Sequence, residues 1–163
     1  MQVSTLFDMN FDWFLKVDIQ TFVIVENLRY FVSSFDPSFP FYFGHTMSNT
    51  WKMPGYNSAE AGILMSRGAL LQLQKALSEG LCAEDSSSSS DVELGKCLGK
   101  VSVYPRDTRD AHGHARFLPS RPIDHLLKNH KSSSWFSSLW SKYPIKEVCI
   151  CIASTVYFVD FLI

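Results

Sequence analysis

The stretch WFLKVDIQTFVIVENLRYF, Trp13 to Phe31, changes its period in the middle. Trp13 to Val17 is a short, mostly apolar run of the kind a buried strand needs. From Phe22 to Val32 the apolar residues Val25, Leu28 and Val32 recur at helical spacing while Glu26, Asn27 and Arg29 fall elsewhere, which predicts a helix. A strand that gives way to a helix within a few residues commits the chain to a layered α/β arrangement. It also leaves Asp18 at the strand's end, where a carboxylate is placed to hold a metal ion.

The remaining chain keeps this rhythm. Asp36-Pro37 and Pro40 mark a turn, and PFYFGH follows as a second strand ending at Gly44. Thr46 to Gly55 is polar, closes on Pro54-Gly55 and reads as an exposed loop. Ala61 to Met65 is a third apolar run. Ser66 then suits the N-cap of a helix from Arg67 to Leu77, with Leu70, Leu73 and Leu77 on its apolar face. Gly68 weakens the first turn of that helix by roughly 1 kcal/mol relative to alanine.

Ser86 to Ser90 contain no apolar anchor, so residues 83–90 are expected to form a flexible Ser-rich loop. Asp91 to Leu98 reads as a short helix whose dipole favours Asp91 in the first turn. VSVY is expected as a brief strand. Pro105 to Ser134 is polar and irregular and carries His112, His114, His125 and His130, after which Trp135, Phe136 and Trp140 restore an aromatic surface. The tail VCICIASTVYFVDFLI is shorter than the ~18 to 20 residues a membrane span needs and contains Asp160, so a buried strand is expected.

Composition narrows the class. The 163 residues have room for one domain or part of a larger one, and 46% hydrophobic residues suffice for a core. A formal net charge of -1 argues against a nucleic-acid partner, which requires clustered Lys and Arg in excess. No secretory signal is visible, because Asp8 and Asp12 interrupt the first apolar residues and no basic region precedes them. The four cysteines permit two disulfides in three possible pairings, so the count leaves the redox compartment open.

Several stretches together resemble the core 1 β1,3-galactosyltransferases: WFLKVDIQTFVIVENLRYF, FYFGH, GYNSAEAG, DVELGKCL, DTRD with GHARFLP, and KYPIKE. They occur in the family's order across almost the whole chain. The resemblance implies a partial GT-A fold, Rossmann-like, with an irregular, loop-rich C-terminal region. It implies one partial catalytic domain over residues 1–163, lacking the first nucleotide-binding units, the stem and the type II Golgi membrane anchor. The implied donor is UDP-galactose, the acceptor GalNAc on Ser or Thr of a glycoprotein, and the cofactor Mn²⁺. A homo-oligomer or a family chaperone is the implied protein partner.

Site residues follow from the same resemblance. The family ends its WFLK strand in three aspartates that hold the metal and donor diphosphate, and Asp18, Ile19 and Gln20 stand there. Asp18 and Gln20 therefore fall at the cofactor site, with one carboxylate and one neutral oxygen donor. His125, in PIDHLL, matches a family histidine and is a further candidate metal ligand, against its plain reading as a surface histidine. Asp91 matches the expected base that accepts the acceptor's proton, while its alternative role is a helix N-terminal carboxylate. Tyr56 in GYNSAEAG and Trp135 are candidates for stacking on the acceptor sugar, Trp135 with core packing as its alternative. Ala59 and Glu60 replace two glycines of the family in that segment. Cys82 and Cys97 match a paired cysteine couple, implying a disulfide around the serine tract. FYFGHT and Glu60 also resemble features of a non-catalytic chaperone of the family, which sets a folding-partner role beside the enzyme.

Overall fold

The computed structural model describes residues 11–19, 21–48, 55–82, 89–119 and 141–143. Its frame is a three-stranded sheet of β1 (Trp13–Lys16), β2 (Tyr42–Gly44) and β5 (Ile63–Ser66). β5 lies in the centre and runs antiparallel to both neighbours, with Phe14 and Tyr42 opposite Met65, and Lys16 and Gly44 opposite Ile63. The register therefore brings the carboxyl ends of β1 and β2 and the amino end of β5 to one end of the sheet.

Side chains alternate across the strands and feed two cores. Phe14, Tyr42, Ile63 and Met65 pack with helices α2 (Arg67–Ser78) and α3 (Ser90–Lys100), through Leu70, Leu73 and Leu98. Trp13, Phe43 and Leu64 face the other way onto Leu28 and Val32 of helix α1 (Val25–Val32) and onto Phe117. The second core is aromatic: Phe31, Phe35, Phe41 and Phe43 form a chain of ring contacts with centroids 5.0–5.4 Å apart.

Ser66 caps α2 as its position suggested, accepting from the Ala69 amide at 3.1 Å. The hydroxyl also accepts from the Phe41 amide and donates to the Phe39 carbonyl, so one fully buried serine ties β2 to the helix start. Gly68 has a packing reason stronger than its propensity penalty. A Cβ there would lie 2.2 Å from the Ser38 carbonyl oxygen, because the Gly68 amide donates to Pro37 across the same gap.

Five expectations change. Phe22 to Ile24 are not helical, and α1 begins only at Val25. Its preceding residues instead extend from a turn in which the Thr21 amide donates to the Asp18 carbonyl. Thr46–Met47 (β3) is not loop but pairs with Tyr56–Asn57 (β4) in a two-stranded ribbon. There Thr46 Oγ1 donates to Asn57 Oδ1, and both side chains are buried. VSVY forms no strand, since Ser102 sits at φ +61°, a left-handed turn conformation outside the β region. Leu77 is 45% exposed, and Ala69 and Ala76 complete the apolar face of α2 in its place. Ser90 belongs to α3 rather than to the Ser-rich loop, with Asp91 and Glu93 favourably placed in the first turn.

Candidate active site

Three chain segments meet at the shared end of the sheet. The first is the turn after β1, where Asp18 and Ile19 leave the strand. The second is a 3-10 turn, Ala59–Ala61, that enters β5. The third is the start of α3, which carries Asp91. Close packing brings α3 in: a Cβ on Gly95 would fall 2.5 Å from Tyr56 Cβ, so the bare glycine lets the helix lie against β4.

Hydrogen bonds fix the three segments to one another. Thr21 Oγ1 accepts from the Asp18 amide at 3.0 Å and donates to the Glu60 carbonyl at 3.3 Å. The Ala59 amide donates to Asp91 Oδ2 at 3.2 Å. Asp91 Oδ1 accepts from the Val92 amide and from the Ser89 hydroxyl. Among the described residues these three donors use three of the carboxylate's roughly four lone-pair sites and orient Asp91.

The electrostatics are acidic. Burial, then the charges of Asp91 and Asp18, hold the Glu60 carboxyl above its ordinary range. Burial and then Asp91 also raise the Tyr56 hydroxyl, and Tyr56 Cβ packs against Gly95 of the helix that carries Asp91. Tyr42, fully buried beneath them, accepts from the Asn57 amide at 3.0 Å, and burial drives its pKa far upward. Asp18, Tyr56 and Asp91 are thus brought to one neighbourhood, as separate motifs of the sequence. Gln20, His125 and Trp135 lie outside the described residues.

The metal donors are sparse. Asp18 brings one carboxylate, whose Oδ1 already accepts from the Ile19 amide at 2.6 Å, and Ile19 turns an apolar side chain 56% exposed to solvent. Among the described residues no three His, Cys, Asp or Glu side chains form a group able to hold a metal ion. A hard divalent cation takes six or more oxygen ligands and favours carboxylates among them. The described donor set does not fit Mn²⁺.

Elsewhere the structure joins Cys82 and Cys97 by a disulfide, which ties the end of α2 to α3 and places Cys97 in the core. His45 is buried, with Nδ1 3.2 Å from the Phe117 carbonyl and Nε2 3.1 Å from Ser141 Oγ. A cavity of about 20 Å³ beside it is bounded by Gly44, Thr108, Arg109 and Tyr143 among others, and its described lining does not include Asp18, Tyr56 or Asp91. His114 is held by Asp110 at 2.8 Å in a separate turn. Burial pushes Asp110 up, but the amides of His114 and His112 and the His114 ring outweigh it and bring the carboxyl down to about 2.

Sequence reasoning missed Thr21, whose hydroxyl role depends on a turn thirty-nine residues away in sequence. Glu60 carried a signal, as the one acid inside GYNSAEAG, but not its coupling to Asp18 and Asp91.

The model of the Fringe-like family matches residues 1–148. The chain belongs to the Fringe-like family. A Xenopus laevis relative, glycoprotein-N-acetylgalactosamine 3-beta-galactosyltransferase 1, is 35% identical over 137 residues. That alignment covers 83% of this chain and 38% of the relative, so this Fringe-like chain spans well under half the relative's length. The mixed α/β layering agrees with a partial GT-A glycosyltransferase domain. Among the described residues no helix is long and apolar enough to cross a membrane.

Proposed function

We propose that the chain is a glycosyltransferase that transfers galactose from UDP-galactose, with inversion, to the 3-hydroxyl of GalNAc on Ser or Thr of a glycoprotein. The observation that carries this reading is the convergence of Asp18, the 59–61 turn and an oriented Asp91 at the carboxyl ends of β1 and β2, in a Fringe-like chain. The name of the Xenopus laevis relative supports the choice of donor and acceptor.

In such a transfer the acceptor oxygen bonds to C1 of galactose as the bond from C1 to the diphosphate oxygen breaks and its electron pair leaves with UDP. The acceptor's proton passes to a carboxylate, and Asp91 is proposed for that role because the Ala59 and Val92 amides and the Ser89 hydroxyl hold its carboxylate in one orientation. Asp18 and Gln20 are proposed at the donor side, Tyr56 and Trp135 against the acceptor sugar, and residence in the Golgi lumen follows from this substrate. Mn²⁺ and His125 belong to the same proposal only as candidates for a metal titration, given the poor donor set.

A transfer assay with UDP-galactose and a GalNAc-peptide, with and without Mn²⁺, tests the reading on wild type and Asp91→Ala. Product that disappears in the variant supports it, and a folded wild type that forms none overturns it for this chain. The single Asp18 carboxylate, with Ile19 beside it, favours a second reading, a non-catalytic partner that assists folding of an active family member. Co-expression should then raise that enzyme's soluble yield, and an unchanged yield counts against it.

A further inference from the structure

The Thr21 side chain bonds both the turn after β1 and the turn before β5. It is 8% exposed, and its single hydroxyl uses both capacities, accepting from the Asp18 amide and donating to the Glu60 carbonyl. Its backbone amide closes the same turn onto the Asp18 carbonyl at 2.9 Å. The methyl group is also placed: a Cβ on Gly62 would lie 3.6 Å from Thr21 Cγ2, so the Thr21 side chain lies over the backbone that leads into β5.

Two residues of the 3-10 turn therefore carry ties in opposite directions. The Glu60 carbonyl is held from the Asp18 side through Thr21, and the Ala59 amide is held from the α3 side through Asp91. The Gly62 amide closes the turn onto the Ala59 carbonyl at 3.0 Å, which makes the 59–62 backbone a short, stiff link between them. A displacement of Asp18 is thereby passed to the peptide that orients Asp91.

We propose that Thr21 is a positioning residue, whose hydroxyl holds the Asp18 turn and the 59–61 turn in one register so that Asp18 and Asp91 face the same ligand. The inference rests on the galactosyl-transfer reading for its functional meaning and on the hydrogen bonds alone for its structural content. Small misplacements of reacting groups lower rates steeply, so a tether of this kind acts on catalysis without touching substrate.

Thr21→Val keeps the shape and removes both hydrogen bonds, whereas Thr21→Ser keeps the hydroxyl. The full 163-residue chain carries each variant, and amide hydrogen exchange is followed at Asp18 and Ala59 with the thermal midpoint as a check on the global fold. Exchange at both amides should rise about tenfold in Thr21→Val and return to within about twofold of wild type in Thr21→Ser. Faster exchange at Asp18 with an unchanged Ala59 overturns the tether, as does a serine variant that behaves like valine. Kinetics then read the function separately. For an active wild type, kcat/KM for UDP-galactose should fall about tenfold in Thr21→Val and recover in Thr21→Ser. A wild type without transfer activity sinks the galactosyl-transfer reading and leaves the exchange result to decide the tether.

Discussion

The same strands serve two regions of opposite character. Behind the sheet, residue identity is dictated by contact: Gly68 sits where a Cβ would lie 2.2 Å from the Ser38 carbonyl oxygen, and Ser66 spends its hydroxyl on three partners. At the strand ends charge matters more, with Ile19 exposed and Glu60 held above its ordinary pKa by burial and then by Asp91 and Asp18. The difference teaches that the framework and the chemistry of this chain are under separate physical control. A change behind the sheet should be read out as stability, and a change at the rim as binding or pH response.

The largest effect is expected at Gly68. Gly68→Ala sets a methyl 2.2 Å from a carbonyl oxygen, and the rearrangement should cost about 3 kcal/mol, visible as a shift of the urea midpoint. If this variant is as stable as wild type, the claim that contact dictates the framework fails. Replacing Cys82 and Cys97 together by serine opens a link with a sequence separation of 15. That should lower stability by ~3 kcal/mol in the same measurement.

At the rim the order of effects reverses. Ile19→Asp combined with Gln20→Asp adds two carboxylates beside Asp18 and should raise Mn²⁺ affinity by about tenfold or more in calorimetric titration, with a stability change within roughly 0.5 kcal/mol. No gain in affinity would mean that the strand end lacks the geometry of a metal site altogether. The smallest effect concerns Glu60, whose folded-state pKa stands above its ordinary value of 4.5. Its protonated form is favoured in the fold, so the stability it contributes is present below that value and is lost as pH rises through the raised pKa. Glu60→Gln cannot lose it, and the thermal midpoint of the variant relative to wild type should climb from pH 4 to pH 7. A difference that stays flat with pH would show that neither burial nor the neighbouring carboxylates raise Glu60 in the fold.

Legibility follows the range of the interactions. β1, β2 and the Ser66 cap were readable because apolar runs and capping chemistry are local. The β3–β4 ribbon was not, because two-residue strands have no period and exist through pairing Thr46 with Asn57 across a polar stretch. Leu77 was assigned to the core by spacing alone, yet α2 turns Ala76 inward and leaves Leu77 exposed. In the candidate site, Asp18, Tyr56 and Asp91 were legible one at a time from their motifs. Their meeting point was not, since it depends on the register of β5 between two earlier strands and on a hydroxyl at Thr21.

That register has a consequence for the order of events during synthesis. β5 comes last of the three strands in sequence yet lies between the other two. Until Ser66 has left the ribosome, Trp13, Phe14, Tyr42 and Phe43 lack β5, the strand they pair with among the described residues. Early folding is therefore a waiting period with sticky surface on display, and agents that bind extended aromatic segments would act on it most strongly just before the third strand arrives.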